Sequence, residues 1–300
     1  METRRVHLVD AFAEEPLSGN VAGVVPDADG LVDEQLQAIA AELGASETAF
    51  LFPSATADRR IRYFTPETEV DLCGHATIAS HGLLAASGHL DPGEHTLETN
   101  VGVLTIELDE DGTVWMAADE PSVRQVDPDY DRLADALGVD SAALSEVGAD
   151  LPTAVASTGL SFLIVPVAFL ESLGGAAPDL EAIEELSTAY DVAGVYAFTF
   201  DTLSGDSTLH ARMFAPAIGV PEDPVTGTAS GACGAYLDHV GAFDGDESEE
   251  LRFEQGHFLD RGGIARVRIE DGIDVGGSSV ESLEGSIAIP DADEDDIIEI

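Results

Sequence analysis

Short apolar runs alternate with segments of helical periodicity along most of this chain. Runs rich in Val, Ile, Phe and Thr that are bounded by turn residues predict strands. The apolar spacing of Asp33 to Leu43, closed by Gly44, predicts an amphipathic helix. The predicted strands are residues 5–12, 21–25, 48–52, 61–64, 94–99, 102–108, 113–116, 161–167, 195–200, 210–214, 251–254 and 265–269, with another pair around Asp271-Gly272. Strands and helices that alternate in this way indicate an α/β fold.

Two further helices, predicted at residues 75–87 and 228–240, consist mostly of Ala, Gly, Ser and Leu. Helices with so few charges must be buried on nearly all sides. Each follows a glycine turn, at Gly74 or Gly227, so its first N–H groups and the positive end of its dipole point outward. Such an end can bind a small carboxylate. Alternatively, the two glycines only permit close helix packing, and spacing alone favours neither interpretation.

An internal repeat relates the two halves of the chain. The matched segments are Arg62-Tyr-Phe-Thr-Pro66 and Arg212-Met-Phe-Ala-Pro216 at an offset of 150, Val70 and Val220 at the same offset, and residues 74–79 and 227–232 at an offset of 153. Repeats of this kind reflect architecture. They predict two similar domains that face each other, with both glycine-led helices starting at one cleft.

Proline and charged residues cluster at residues 120–130, and this cluster predicts the domain boundary. The predicted units are an N-terminal domain of residues 1–122, a C-terminal domain of residues 123–290 that begins with short helices, and an acidic tail of residues 291–300. Each predicted domain therefore contains one copy of the repeat.

Charge changes this picture more than any other property of composition. The chain has 59 acidic and 12 basic residues, a net charge of −47, and all twelve basic residues are Arg. Without Lys, Schiff-base, pyridoxal-phosphate and phosphate-loop chemistry are excluded. The negative field repels nucleic acids. Because 44% of the residues are hydrophobic, we expect a folded core under an acidic surface, stable only in molar salt that screens the repulsion.

Nothing in the sequence predicts secretion or membrane insertion. The N-terminus has no apolar signal core, and the nine-residue apolar run at 162–170 is too short to span a bilayer. Cys73 and Cys233 do not form a disulfide-type framework. We therefore expect a cytoplasmic protein of a salt-adapted cell, with no membrane partner and no nucleic-acid partner.

Four separated motifs, in order, resemble those of the phenazine-biosynthesis isomerase (PhzF-like) family. They are Asp10-Ala-Phe-Ala-Glu-Glu-Pro-Leu-Ser-Gly-Asn20, Ser46-Glu47-Thr48-Ala49-Phe50, residues 62–77 with Asp71-Leu-Cys-Gly-His-Ala-Thr77, and Glu222-Asp-Pro-Val-Thr-Gly-Thr-Ala-Ser-Gly231. The resemblance implies a diaminopimelate-epimerase-like α/β (α+β) fold of two pseudo-symmetric domains, each a curled sheet around a central helix. It also implies a homodimer and a cofactor-independent isomerase that binds a small-molecule carboxylate in the interdomain cleft.

The resemblance also implies roles for residues of this chain. Glu47, His75 and Asp223 match the family's catalytic positions. The predicted substrate-binding residues are Gly19, Asn20, Gly74, Gly227 and Thr228, with Thr228 standing where relatives often have Ser. No metal and no cofactor is implied.

The residues themselves give partial support to these roles. Glu47 precedes the strongly apolar segment Thr-Ala-Phe-Leu-Phe, where burial is expected to raise its pKa. Asp223 lies just before the glycine turn at Gly227, and local sequence alone favours a helix-capping role for it. A surface position at the helix-to-strand junction is the alternative for Glu47.

Three other functions compete with the isomerase. Asp71, Cys73, His75 and His81 have the side chains of a metal site, although no second compact ligand pair is present. A two-thiol epimerase of the same fold would place Cys73 beside its glycine turn, but Cys233 lies too far along its helix to be the second base. Cys73 is then a packing residue. A carboxylate-binding protein without catalysis remains the third alternative.

Overall fold

A computed structural model describes residues 2–145, 147, 151–243, 250–269 and 272–289. The first half contains β1 (Thr3–Ala11), β2 (Asn20–Val25), α1 (Asp33–Leu43), β3 (Thr48–Phe52), β4 (Arg59–Phe64), β5 (Glu69–Val70), α2 (Gly74–Ala86), β6 (Gly93–Thr99), β7 (Gly102–Leu108) and β8 (Val114–Ala117). The predicted acidic tail, 291–300, lies outside the described residues.

The second half begins with a strand and two short helices. Its elements are β9 (Ser122–Gln125), α3 (Tyr130–Leu137), α4 (Ala142–Ser145), β10 (Ala154–Ser157), β11 (Ser161–Pro166), α5 (Leu170–Gly174), α6 (Leu180–Tyr190), β12 (Gly194–Thr199), β13 (Leu209–Ala215), β14 (Val220–Asp223), α7 (Gly227–Val240), β15 (Glu250–Gln255), β16 (Gly263–Ile269), β17 (Ile273–Gly277) and β18 (Ser279–Ala288). Among the described residues, no helix is long and apolar enough to cross a membrane.

The strands form one continuous sheet that runs through both halves. The first half follows the order β18-β1-β2-β3-β4-β6-β7-β8, and β8 pairs with β17. The second half continues as β17-β16-β15-β13-β12-β11-β10-β9. Parallel pairs β2/β3 and β4/β6 correspond to β11/β12 and β13/β15, so the predicted α/β fold of two similar halves is confirmed.

Each half surrounds one central helix. All residues from Ala76 to Leu84 of α2 are buried, as are all residues from Ala229 to Leu237 of α7. Both helices are rich in small residues, which lets strands approach them from every side. The prediction of fully buried, charge-poor helices is therefore confirmed, and it explains why hydrophobic periodicity is weak in these two segments.

The Arg-x-Phe repeat has a structural reason. The Arg62 guanidinium binds Glu69 of β5 and lies 5.1 Å from the ring centre of Phe64. In the second half, Arg212 binds Glu222 of β14 and lies 5.0 Å from the ring centre of Phe214. Each Arg thereby fastens a short hairpin strand to its neighbour just before the central helix, through an ion pair and a cation–π contact.

The strand register corrects one detail of the repeat. Val70 pairs with Tyr63, whereas Met213, the counterpart of Tyr63, pairs with Asp223. The match of Val70 with Val220 was therefore wrong, because the three-residue shift occurs before the short strand and not after it. In the repeat, Asp223 therefore occupies the position equivalent to Val70, so only the second half has an acidic residue at this position.

Each half also receives an edge strand from the segment that follows the other half. β9 follows β8 and pairs with β10, while β18 follows β17 and pairs with β1. Residues 279–288, which fall inside the predicted range 123–290, thus lie in the sheet of the first half. Sequence patterns missed β9, β10 and β18, as well as the short strands β5 and β14. β9 exposes most of its side chains and β18 half of them, and neither has a continuous apolar face.

Candidate active site

Glu47 lies immediately before β3, in the first half. Its carbonyl oxygen accepts a hydrogen bond from the Gly23 N–H at 2.9 Å, which fixes the chain where it enters the sheet. Its Oε2 lies 3.3 Å from Nε2 of His75, and its side chain is 23% exposed. The strong burial expected from the sequence is thus only partial, and the carboxylate is accessible from one side.

The N-terminus of α2 holds His75 and Cys73 beside Glu47. Cys73 is the residue that precedes α2, and its Sγ lies 3.4 Å from Nδ1 of His75. On the other side of the ring, Ser46 Oγ lies 3.3 Å from Nε2. Burial raises the pKa of the Cys73 thiol well above its usual value, and the nearby charges of Glu47 and Asp223 raise it further. The thiol is therefore protonated at neutral pH and orients His75.

Asp223 comes from the second half and completes the cluster. Its Oδ1 accepts a hydrogen bond from Nδ2 of Asn20 at 2.9 Å, and its Oδ2 accepts one from the Thr226 hydroxyl. Burial raises the pKa of Asp223, and Glu47 adds to this effect, whereas Thr226, the charge of His75 and Asn20 lower it. The two carboxylates are therefore close enough to influence each other across the two halves.

The helix-capping role that local sequence favoured for Asp223 is not what the structure shows. Thr226 is the residue that precedes α7, and its side chain makes no capping hydrogen bond to the helix. Its hydroxyl donates to Asp223 instead. The side chains of Asp223 and Thr226 therefore bind each other, and the residue before α7 does not cap the first N–H groups of that helix.

Gln255 supports this loop and was not found from the sequence. Its Nε2 donates to the carbonyl of Asp223 at 2.8 Å, and its Oε1 accepts from the backbone N–H of Thr226 at 3.2 Å. Gln255 ends β15, far along the chain, and no local pattern marks it. Thr226 has a signal, because the offset of 153 that relates Gly74 to Gly227 also relates Cys73 to Thr226.

The two glycines at the helix starts differ in what they touch. A Cβ atom added to Gly227 would lie 3.0 Å from the ring of Phe12, so close packing explains that glycine. A Cβ added to Gly74 would meet nothing within 4 Å, and neither glycine has a positive φ. Neither packing nor backbone conformation therefore explains why position 74 is a glycine. The open space beside it lets a ligand approach the N–H groups at the start of α2.

Gly19 and Asn20 connect the two halves. Both amide hydrogens of Asn20 are used, on Asp223 and on the carbonyl of Val225 at 2.9 Å. Gly19 has φ of +54°, and a Cβ there would lie 2.2 Å from a backbone oxygen. Arg261 binds the carbonyl of Gly19 at 2.9 Å. These contacts position the second-half loop against the first half, whereas Thr228 stands exposed at the start of α7.

The metal site considered from the sequence is not assembled. Asp71 is exposed, and His81 is buried inside the fold with its Nδ1 donating to the carbonyl of Thr77 at 2.9 Å. Burial lowers the pKa of His81 to about 4. Glu47, Cys73 and His75 do present ligand atoms within 4.8 Å of one another. However, the raised pKa of the Cys73 thiol disfavours the thiolate that a metal would require.

The second thiol of a two-thiol epimerase is also absent from this cluster. Cys233 is completely buried inside α7, and burial raises its thiol pKa well above the usual value. The position equivalent to Cys73 in the repeat is Thr226, which carries a hydroxyl. The cluster therefore has one thiol facing two carboxylates, and the carboxylates are its accessible proton-transfer groups.

The buried carboxylate makes a testable prediction. Because folding raises the pKa of Asp223, ionisation of this group lowers stability as the pH rises above the unfolded value, and the cost persists at neutral pH. Asp223→Asn should therefore raise the melting temperature at pH 7, with the gain shrinking as the pH falls towards about 4. The exposed Asp206→Asn is the control and should show no such pH-dependent gain. An Asp223→Asn protein that melts below the wild type at pH 7 would contradict the prediction.

Comparisons with known proteins place this architecture in a family. Residues 9–285 match the family described as "Phenazine biosynthesis-like protein" (PhzC-PhzF). The "uncharacterized isomerase YfhB" of Bacillus subtilis is 38% identical over 276 residues, which cover 90% of this chain and 92% of the relative. The chain belongs to the phenazine biosynthesis-like (PhzF) family, so the resemblance of the four motifs is confirmed.

Solved structures agree with this assignment. A phenazine biosynthesis protein of the PhzF family from Bacillus anthracis superposes with a TM-score of 0.86 at 33% identity, covering 96% of this chain and all of that one. A hydroxyproline epimerase from Agrobacterium vitis superposes with a TM-score of 0.61 at 15% identity, covering 96% of this chain and 91% of that one. The second likeness shows a shared fold only.

Proposed function

We propose that this protein is a cofactor-independent isomerase that moves a proton on a small carboxylate-bearing substrate bound between its two halves. One observation carries the proposal: Glu47 and His75 of the first half pair with each other at the start of α2, and both act electrostatically on Asp223 of the second half, which lies just before α7. The matched Bacillus subtilis relative is named an isomerase, which supports the same reaction class.

The substrate carboxylate binds at the helix starts in this proposal. The N–H groups of Gly74, His75, Gly227 and Thr228 belong to the first turns of α2 and α7, where the helix dipoles favour an anion. Most of the remaining surface is acidic and repels a carboxylate. A site of this kind therefore fixes the orientation of the substrate by its charged end.

The chemical step uses the two carboxylates. Glu47, as the base, takes a proton from a carbon next to an unsaturated group, and the electron pair of the broken C–H bond moves into that group. A proton is then returned at a different carbon, either by Glu47 or by Asp223. Because burial raises its pKa, Asp223 holds a proton more readily than an exposed aspartate does, which suits a group that returns a proton to the substrate. His75 lies beside Glu47 and stabilises its charge.

Deuterium incorporation tests the reaction. Small unsaturated carboxylic acids and amino acids are first screened for thermal stabilisation of the protein in molar KCl, and each hit is then incubated with enzyme in heavy water. We expect deuterium to enter a C–H position of at least one hit, as detected by mass spectrometry. Stabilising ligands that incorporate none would instead identify a carboxylate-binding protein without catalysis.

Gly74→Ala tests the binding mode separately. Since the added methyl group meets open space, we expect stability to be unchanged or raised by up to about 1 kcal/mol. The methyl group would stand where the substrate approaches α2, so substrate affinity should fall roughly tenfold, equal to about 1.4 kcal/mol. Gly205→Ala, at another glycine whose added Cβ meets nothing within 4 Å, is the matched control and should bind normally. Unchanged substrate affinity in Gly74→Ala would place the carboxylate elsewhere.

The quaternary structure is a further part of the proposal. The homodimer rests on the family resemblance and is measured by light scattering in molar KCl, where a mass of twice 31.3 kDa is expected. A monomer would leave the proposed chemistry intact, since the cluster is built from the two halves of one chain.

A further inference from the structure

One cavity outside the proposed active site is lined by more basic than acidic residues, although the chain as a whole is strongly acidic. It has a volume of about 420 Å³ and lies between β1, the start of β4 and the end of α2. Among the described residues, its lining includes Arg4, Arg5, Arg59, His7 and His89, and Asp27 is the one acidic residue there. Three of the twelve arginines and two of the eight histidines thus line one cavity, against one of 59 acids.

One of these arginines keeps a donor without a partner. Arg4 pairs with Glu2 and donates Nη2 to the carbonyl of Asp29 at 3.0 Å, but its Nε is buried and has no hydrogen-bond partner among the residues that the structure describes. A buried N–H of this kind costs free energy unless something binds it. Two contacts therefore hold Arg4 in place, while its Nε–H remains available to a ligand.

Arg59 is unusual among the arginines of the described chain. Ten of the twelve lie within 4.0 Å of a carboxylate oxygen of a described residue, whereas Arg59 and Arg124 have no such partner in that part of the chain. Arg59 donates Nη2 to the carbonyl of His89 at 3.2 Å. Its neighbour Asp58 accepts hydrogen bonds from the N–H and hydroxyl of Thr96 and does not pair with Arg59 within 4.0 Å, although the Arg59 charge helps to lower the pKa of Asp58. In so acidic a protein, a half-buried arginine left without a carboxylate is expected only where another anion is to bind.

The size and lining of the cavity indicate what kind of molecule carries the anion. A volume of this order matches small-molecule sites, which range from roughly 300 to 1,000 Å³, and exceeds what one inorganic ion needs. Leu83 and Leu84 form an apolar part of the wall next to the arginines. Guanidinium groups bind phosphate and carboxylate oxygens through paired N–H donors. The lining therefore suits a small molecule with one oxyanion and one apolar portion.

The cavity is separate from the proposed active site. Leu83 and Leu84 lie near the end of α2, whereas Gly74 and His75 start the same helix. Thirteen residues at 1.5 Å each put the two ends about 20 Å apart. We infer that this cavity is a second binding site, specific for a small molecule bearing a phosphate or carboxylate group held by Arg59 and Arg4.

Inorganic phosphate is the first probe of this site. Melting temperatures of the whole protein are measured with 0 to about 50 mM potassium phosphate at constant ionic strength in KCl. We expect an increase of a few degrees that saturates, since a ligand at ten times its Kd stabilises by about 1.4 kcal/mol. The increase should disappear in Arg59→Gln and persist in Arg124→Gln, which also lacks a carboxylate partner but lies on the exposed strand β9.

Three further variants keep the result interpretable. Arg59→Lys should retain part of the increase, which guards against loss of folding in Arg59→Gln. Gly74→Ala should retain the whole increase, because an increase caused by phosphate at the active site would be lost in that variant.

Residues 290–300 carry six acids and follow β18, whose end pairs beside Arg4, so a chain ending at Ile289 is also titrated. An Arg59-dependent increase in either chain supports the site; none in both, or one that Arg59→Gln leaves unchanged, overturns it.

Discussion

Glu47→Gln is expected to lower turnover at least about 1,000-fold, because the amide cannot accept the proton that the proposed reaction removes. The substitution keeps the size and shape of the side chain, which is 23% exposed, and it leaves a hydrogen-bond partner near His75. Folding and ligand binding should therefore persist. Deuterium incorporation measures the loss directly, while ligand-induced thermal stabilisation reports retained binding.

Glu98→Gln is the matched control for that experiment. Glu98 is also partly buried, with 28% of its side chain exposed, and it binds hydroxyl groups of Ser54 and Thr56. Removing its charge should leave turnover within about twofold. If Glu47→Gln and Glu98→Gln exchange deuterium equally well, Glu47 is not the base and the proposed mechanism fails.

The candidate site was predicted from the repeat and the motifs together. Glycine turns that start buried helices placed Gly74 and Gly227, and the family motifs added Glu47, His75 and Asp223. In the structure, His75 pairs with Glu47, and Asn20 of the first half holds Asp223 near enough for both charges to act on it. Local periodicity alone would not have selected Glu47 among 59 acidic residues.

Other parts of the site depend on long-range contacts that no local pattern contains. Asn20 was expected to contact substrate, yet both amide hydrogens bind the loop of the other half. Gln255 reaches Asp223 and Thr226 from a strand about 30 residues further along the chain. Edge strands β9 and β18 were missed for a related reason: their stability comes from hydrogen bonds to one neighbour, not from an apolar face.

Acidic residues fall into two groups that respond to salt to different extents. Buried pairs such as Arg212–Glu222, whose side chains are 8% and 15% exposed, exclude solvent ions and are screened little. Most carboxylates have no such partner, because twelve arginines cannot neutralise 59 acids. The balance of these groups determines how the whole fold depends on ionic strength.

The melting temperature should accordingly rise by at least roughly 10 °C between 0.1 M and 2 M KCl. Mutual repulsion of the surface carboxylates destabilises the folded state at low salt, and at molar salt the Debye length falls to about 3 Å. In chains somewhat smaller than this one, each kcal/mol moves the midpoint by about 2–4 °C, so the expected change requires a gain of several kcal/mol. Sucrose at matched osmolality controls for general solute effects and should give a smaller increase. A melting temperature that stays flat or falls with KCl would show that the −47 charge is tolerated without screening, and that the acidic surface is not an adaptation to salt.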